Sequence, residues 1–302
     1  MKKIFITIGL LFILFSQEIF ANITNTNQAN TVLKKEEVLI GYYGRPNSPT
    51  LGILGETNLD ELIKKMREKQ KYFNTELENK LDVKLAFHLI HSLATKDPGR
   101  RNDYLLGMSE KTVLKYIKRA QKENFLVIID LQLGTYTPYE AIKPVLKYLK
   151  YENVHLAIDP EFKIPKHRRY PPGRYIGHIF ANQLNEAQEL ISTYLEKNNI
   201  NQEKKLIVHM FHKRMLRQKE QVKNYNNIKL IYNIDGHGSA QVKIKIYNGL
   251  YAATTQIDKA IGGFKIFYKN DIKPIMTPKQ ILGFEPVGNQ KIMVRPYYIN
   301  YH

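Results

Sequence analysis

Seven short runs of aliphatic and β-branched residues recur along this chain, at intervals that average a little under 40 residues. That rhythm limits the possible fold more than any other feature. The runs are residues 38–44, 83–90, 125–132, 154–161, 205–211, 229–235 and 263–268. Polar, amphipathic stretches lie between most of them, and several open on a helix-capping signal: Thr57 or Asn58, Ser109, Thr137-Pro138 and Thr277-Pro278. Strand followed by helix, repeated with no Pro/Ser-rich linker, argues for a parallel sheet covered by helices. The expected fold class is therefore α/β, a TIM-like (β/α) barrel with seven clear strands. Residues 291–294 are the candidate for an eighth strand or a terminal extension. A doubly wound open sheet is the alternative.

The 302 residues divide unevenly. Lys2 and Lys3 precede an apolar run from Ile4 to Phe15, and Ile19-Phe20-Ala21 offers a small residue for cleavage. Residues 1–21 read as a secretory signal peptide cut after Ala21, with an uncleaved anchor as the alternative. Residues 22–37 read as a polar leader, and residues 38–302 as one barrel domain. The expected location is secreted or periplasmic, with no transmembrane helix in the mature chain. There is no cysteine, which excludes disulfides, a thiol nucleophile and a lipid-bearing cysteine. The formal charge is +18, and loss of Lys2, Lys3 and Glu18 with the signal leaves +17. Such a chain suits an anionic partner, and for an exported protein that means a glycan or another anionic cell-envelope polymer. Nucleic acid is not the expected partner, because no helix gathers the charge into a groove-binding stripe.

Parity places the chemistry. Side chains alternate between the two faces of a strand. In the fourth run Asp159 and Glu161 share one face, while Val154, Leu156 and Ile158 share the other. In the third, Asp130 and Gln132 lie with Ile128, opposite Val127, Ile129 and Leu131. In the sixth, Asp235 lies with Asn233 and Ile231. Four acids, Asp130, Asp159, Glu161 and Asp235, are thus expected at one barrel mouth, where mutual repulsion shifts pKa values and prepares acid/base work. Tyr42, Tyr43 and Arg45 end the first strand and are suited to a sugar or an anion. His88 and His91, His209 and His212, and His237 follow the second, fifth and sixth strands. Histidines three apart on a strand face opposite ways and no HExxH motif occurs, so no metal or other cofactor is expected. Lys265 shares a face with Phe267 and is expected to pair with the acids. The turn Asp235-Gly236-His237-Gly238-Ser239 resembles an anion-binding loop only loosely, since no Walker lysine follows it.

An acid pair D-x-E closing the fourth strand, here Asp159 and Glu161, resembles glycoside hydrolases of the chitinase-like and lysozyme-like barrel families. That resemblance implies Glu161 as general acid and Asp159 as its support. Pro160 between the acids, the absent D-x-x-D-x-D-x-E run and the absence of Trp depart from the pattern. Gly41-Tyr42-Tyr43-Gly44-Arg45-Pro46, Ile53-Leu54-Gly55-Glu56, Asp130-Leu131-Gln132, Ile158-Asp159-Pro160-Glu161 and Asp235-Gly236-His237-Gly238 together resemble a group of exported bacterial barrel proteins of unassigned activity. The leading expectation is an exported, glycan-directed hydrolase. Its catalytic residues would be Glu161, Asp159, Asp130 and Asp235, and its substrate-binding residues Tyr42, Arg45, His88, Gln132, His209, His237 and Lys265. A non-catalytic binder of an anionic envelope polymer and a phosphoester hydrolase are the alternatives.

Overall fold

Eight parallel strands close into a barrel in the computed structural model, which describes residues 35–167, 170–253 and 260–302. The expected signal peptide and most of the leader lie outside the described residues. The strands are β1 (Glu37–Gly44), β2 (Asp82–Ala94), β3 (Leu126–Gln132), β4 (Val154–Asp159), β5 (Lys204–Met210), β6 (Ile228–Ile234), β7 (Ile261–Ile266) and β8 (Tyr298–Tyr301). Each pairs with its neighbours in sequence, and β1 closes the ring by pairing with both β2 and β8.

Helices cover the outside: α1 (Leu59–Glu76), α2 (Glu110–Glu123), α3 (Pro138–Ile142), α4 (Ala181–Lys197), α5 (Ala240–Tyr247) and α6 (Pro278–Ile281). The capping signals act as their chemistry dictates. The Asn58 side chain accepts from the backbone N–H groups of Asp60 and Glu61, and Ser109 accepts from Thr112. Thr137 and Thr277 each form a reciprocal capping box, with Glu140 and Gln280. Between β5 and β6 short 3-10 turns, Lys213–Met215 and Lys219–Gln221, and the two-residue strand Leu216–Arg217 take the place of a helix.

The eighth strand is not residues 291–294. That stretch forms no strand, and Met293 in it is 69% exposed. The strand is Tyr298–Tyr301, which is fully buried and lies in register with Leu39–Tyr42 on one side and Gly263–Ile266 on the other. Its four residues, two of them Tyr and one Asn, carry no aliphatic run, and only closure of the ring makes them a strand.

Alternation then divides the barrel into two environments. Val127, Ile129, Leu131, Leu156, Ile158, Leu230 and Tyr232 face outward into the core shared with the helices. Leu39, Ala86, Ile128, Ala157, Ile207, Ile231 and Tyr298 fill the interior with a separate apolar plug. Two residues further along several strands, towards their carboxyl ends, the interior becomes polar: His88, Asp130, Asp159, His209 and Asn233. The change of character is a change of layer, and it places His88, Asp130, Asp159, His209 and Asn233 above the apolar plug.

One close approach fixes that boundary. Tyr298 lays its ring across the interior beside Gly41, where a Cβ would stand 2.1 Å from the tyrosine hydroxyl and 2.8 Å from its ring. The same hydroxyl sits 2.6 Å from His88 Nδ1, so it cannot move aside without breaking a buried hydrogen bond. Gly41→Ala is therefore expected to destabilise the protein by about 1–3 kcal/mol, as overpacking does. Urea unfolding checks this, and an unchanged midpoint contradicts the close approach.

Candidate functional site

The carboxyl ends of the strands open into a cavity of about 530 Å3, within the size range of small-ligand sites. Its polar lining includes Gln132, Asp159, Glu161, Asp235, His237, Lys265 and His302, and Tyr43, Phe162, Phe211 and Phe267 supply aromatic wall. Three of the four expected acids thus meet in one pocket. Asp130 is the exception: it is entirely buried and lies outside the lining.

Glu161 arrives by a route the parity argument does not describe. The strand ends at Asp159, and Pro160–Phe162 form a single 3-10 turn. Proline suits the first position of such a turn because its φ is already set and its missing N–H is not needed there. Asp159 Oδ1 accepts the Glu161 N–H at 3.0 Å, and the Glu161 carbonyl accepts from Gly177 at 2.7 Å. Pro160 is thus the residue that turns Glu161 into the pocket.

The acids sit in different electrostatic environments. Burial pushes the Asp159 carboxyl up to about 7, with repulsion from Glu161, Asp130 and Asp235 adding to it and His209 opposing it. Burial and the neighbouring Asp235 charge also raise Glu161. Burial works against ionised Asp235 too, but His209 and Lys265 outweigh it and hold that carboxyl below its ordinary value. Asp235 Oδ2 accepts from His209 Nδ1 at 2.6 Å and from Lys265 Nζ at 3.1 Å, while Oδ1 accepts from Asn233 at 2.6 Å. Lys265 lies 4.1 Å from the centre of the Tyr43 ring, a separation at which a cation is attracted to an aromatic face.

Beneath the pocket, between it and the apolar plug, lie His88, Asp130 and His209, with no solvent exposure at any of the three. Asp130 Oδ2 is 3.2 Å from His88 Nε2 and 3.3 Å from His209 Nε2. One ligand atom from each of the three residues lies within 4.8 Å of the other two, a spacing that could hold a metal ion. Burial opposes a charge on His209, yet Asp235 and Asp130 together push it up to about 10. Burial brings His88 down to about 4. Asp130 is held well below the carboxylate range by His209 and His88, against the effect of its burial. The histidines that come together are on different strands, so spacing along one strand carries no trace of the cluster.

Several residues expected at the site stand elsewhere. Tyr42 faces outward, packing on Tyr301 and reaching towards the Lys65 carbonyl, and Tyr43 takes the inward position. Arg45 spends its guanidinium on the carbonyls of Ile90, His91, Leu106 and Gly107. It thereby clamps the hairpin formed by the end of β2 and the short strand Leu105–Gly107. His88 and His209 lie below the cavity and do not line it. The Gly-rich turn is occupied by its own protein: Gly238 N–H donates to Asp271 Oδ1 at 3.2 Å, and the Gly236 carbonyl accepts Lys243 Nζ at 2.6 Å. Gln132, His237 and Lys265 do line the pocket, and the Gln132 Oε1 accepts from the Ala94 N–H. His302 also lines it, its ring 5.2 Å from Tyr43 and 5.1 Å from Phe267. No periodic pattern marks a terminal residue, so nothing in the sequence singled it out.

No protein-family model matches the chain, and no curated protein shows significant similarity to it.

The raised Asp159 value has a consequence for stability. A carboxyl whose folded pKa lies above its unfolded one favours the folded state at low pH, and that contribution is lost as the pH rises through the folded value. Asp159→Asn keeps an acceptor for Glu161 N–H but carries no charge. The variant is expected to match the parent near about pH 4 and to exceed it in stability above about pH 7, by on the order of 2–4 kcal/mol. Thermal unfolding across that range tests this, and a difference independent of pH contradicts it.

Proposed function

We propose that this protein is a hydrolase of glycans, working by carboxylate acid/base chemistry at the mouth of the barrel. The observation that carries the proposal is the sorting of acids in one pocket: Asp159 and Glu161 are pushed towards the protonated form, while Asp235 is held ionised. Glycoside cleavage needs a proton for the leaving oxygen and a negative charge for the oxocarbenium-like transition state, and two carboxyls with separated pKa values supply both.

Glu161 is the general acid in this reading, because it is the least buried of the three and stands on a turn facing the cavity. Asp159 lies deeper, fixes the turn through the Glu161 N–H and repels a second charge beside it. Asp235 has both oxygens engaged by Lys265, His209 and Asn233, so it serves better as a fixed negative charge than as an attacking nucleophile. Tyr43, Phe162, Phe211 and Phe267 offer flat apolar surface for sugar rings in a chain without Trp. The expected substrate is an envelope glycan met outside the cytoplasm, consistent with the charge of the chain and the signal-like residues 1–21. Among the described residues no helix is long and apolar enough to cross a membrane.

The test is release of reducing ends from a panel of envelope polysaccharides by the purified protein. Glu161→Gln is expected to lower kcat by about 10²- to 10⁴-fold with little change in KM. Activity should fall as the pH rises through the raised range of the Asp159–Glu161 pair, since the proton donor is then lost. Hydrolysis that survives Glu161→Gln overturns the assignment.

A further inference from the structure

We propose that His88, Asp130 and His209 bind one divalent first-row transition ion, with Zn2+ the first candidate. Both Nε2 atoms and both Asp130 oxygens are buried and make no well-directed hydrogen bond, although each Nε2 stands within ion-pair distance of Asp130 Oδ2. Folded proteins satisfy nearly all buried polar atoms, and four unsatisfied ones converging on one spot mark a place where something else completes the set.

The spacing fits an ion. Asp130 Oδ2 stands 3.2 and 3.3 Å from the two Nε2 atoms. Metal–ligand bonds of about 2.0–2.1 Å in a tetrahedral site put neighbouring ligand atoms roughly 3.3 Å apart. The outer partners fit as well. His209 Nδ1 donates to Asp235 Oδ2 at 2.6 Å, and His88 Nδ1 pairs with the Tyr298 hydroxyl at 2.6 Å. Occupying Nδ1 in each ring orients it and leaves Nε2 as the ligand atom, which is the usual arrangement around protein-bound metal. All three ligands sit within strands of the barrel, β2, β3 and β5, which hold them rigidly.

Donor type selects the ion. Two imidazoles and one carboxylate suit zinc or ferrous iron, whereas Mg2+ and Ca2+ prefer oxygen alone. Binding replaces any proton on His209 Nε2, and the carboxylates of Asp130 and Asp235 balance the two positive charges. The Tyr43 ring lies over the cluster, 4.9 Å from His88 and 5.8 Å from His209. The site is therefore closed from the cavity above, and the ion braces the floor on which Asp235 stands. This inference is independent of the glycan reading, since its readout is metal content and not hydrolysis.

The experiment uses the full chain, stripped with chelator and titrated with Zn2+ by calorimetry, with thermal unfolding and Co2+ absorption spectra alongside. One Zn2+ per chain, a raised Tm and Co2+ bands of low coordination number are expected. Folded Asp130→Asn and His209→Ala should lose all three. If circular dichroism shows that these variants do not fold, Asp235→Asn keeps the three ligands while removing the negative charge that His209 Nδ1 donates to, and should weaken Zn2+ binding about 10- to 100-fold. The proposal is overturned by parent protein that takes up no Zn2+, by Zn2+ binding undiminished in folded Asp130→Asn, or by unchanged affinity in Asp235→Asn. The first of these results leaves a proton-bridged Asp130–His209–Asp235 network as the account of the cluster.

Discussion

A carboxylate with no access to water lies inside this barrel, and much of the upper interior is arranged around it. Ionised Asp130 cannot be buried alone, because desolvating a lone charge costs far more than a fold of marginal stability can offset. His88 and His209 answer it from β2 and β5. His209 in turn leans on Asp235, and Asp235 on Lys265 and Asn233. The chain of charges runs from the buried floor to the open pocket. Removing any one member leaves its neighbour uncompensated, so the acids at the mouth and the cluster beneath them form one electrostatic unit.

That unit depends on the apolar plug below it. Leu39, Ala86, Ile128, Ala157, Ile207, Ile231 and Tyr298 keep water from entering along the barrel axis, and low local polarity strengthens every charge interaction above them. Tyr298 belongs to both layers: its ring is part of the plug and its hydroxyl meets His88. Gly41 makes that double role possible by leaving room for the ring.

The sequence disclosed what strand alternation controls. Asp130, Gln132, Asp159, Asp235 and Lys265 fall on the interior side because parity is local and the flanking aliphatics declare the outer face. It disclosed less wherever the answer depends on where a strand stops or what it meets. Glu161 lies one turn beyond its strand, so parity gave the correct cavity for the wrong geometric reason. Tyr42 and Tyr43 are adjacent and chemically alike, and only the register of β1 against β2 and β8 decides which faces inward. The short, tyrosine-rich β8 exists because two neighbouring strands need a partner. His88, Asp130 and His209 meet across three strands, a relation no spacing within one element encodes.

The Arg45 clamp bears on how a ligand enters. Four carbonyl acceptors on one guanidinium tie the end of β1 to the far hairpin, and the adjoining β2 residues Ile90, Leu93 and Ala94 line the cavity. A wall anchored at that many points stands preformed, so an incoming molecule is not charged the entropy of ordering a loop around itself. On that side the cavity therefore has a fixed outline, set by the fold before anything enters.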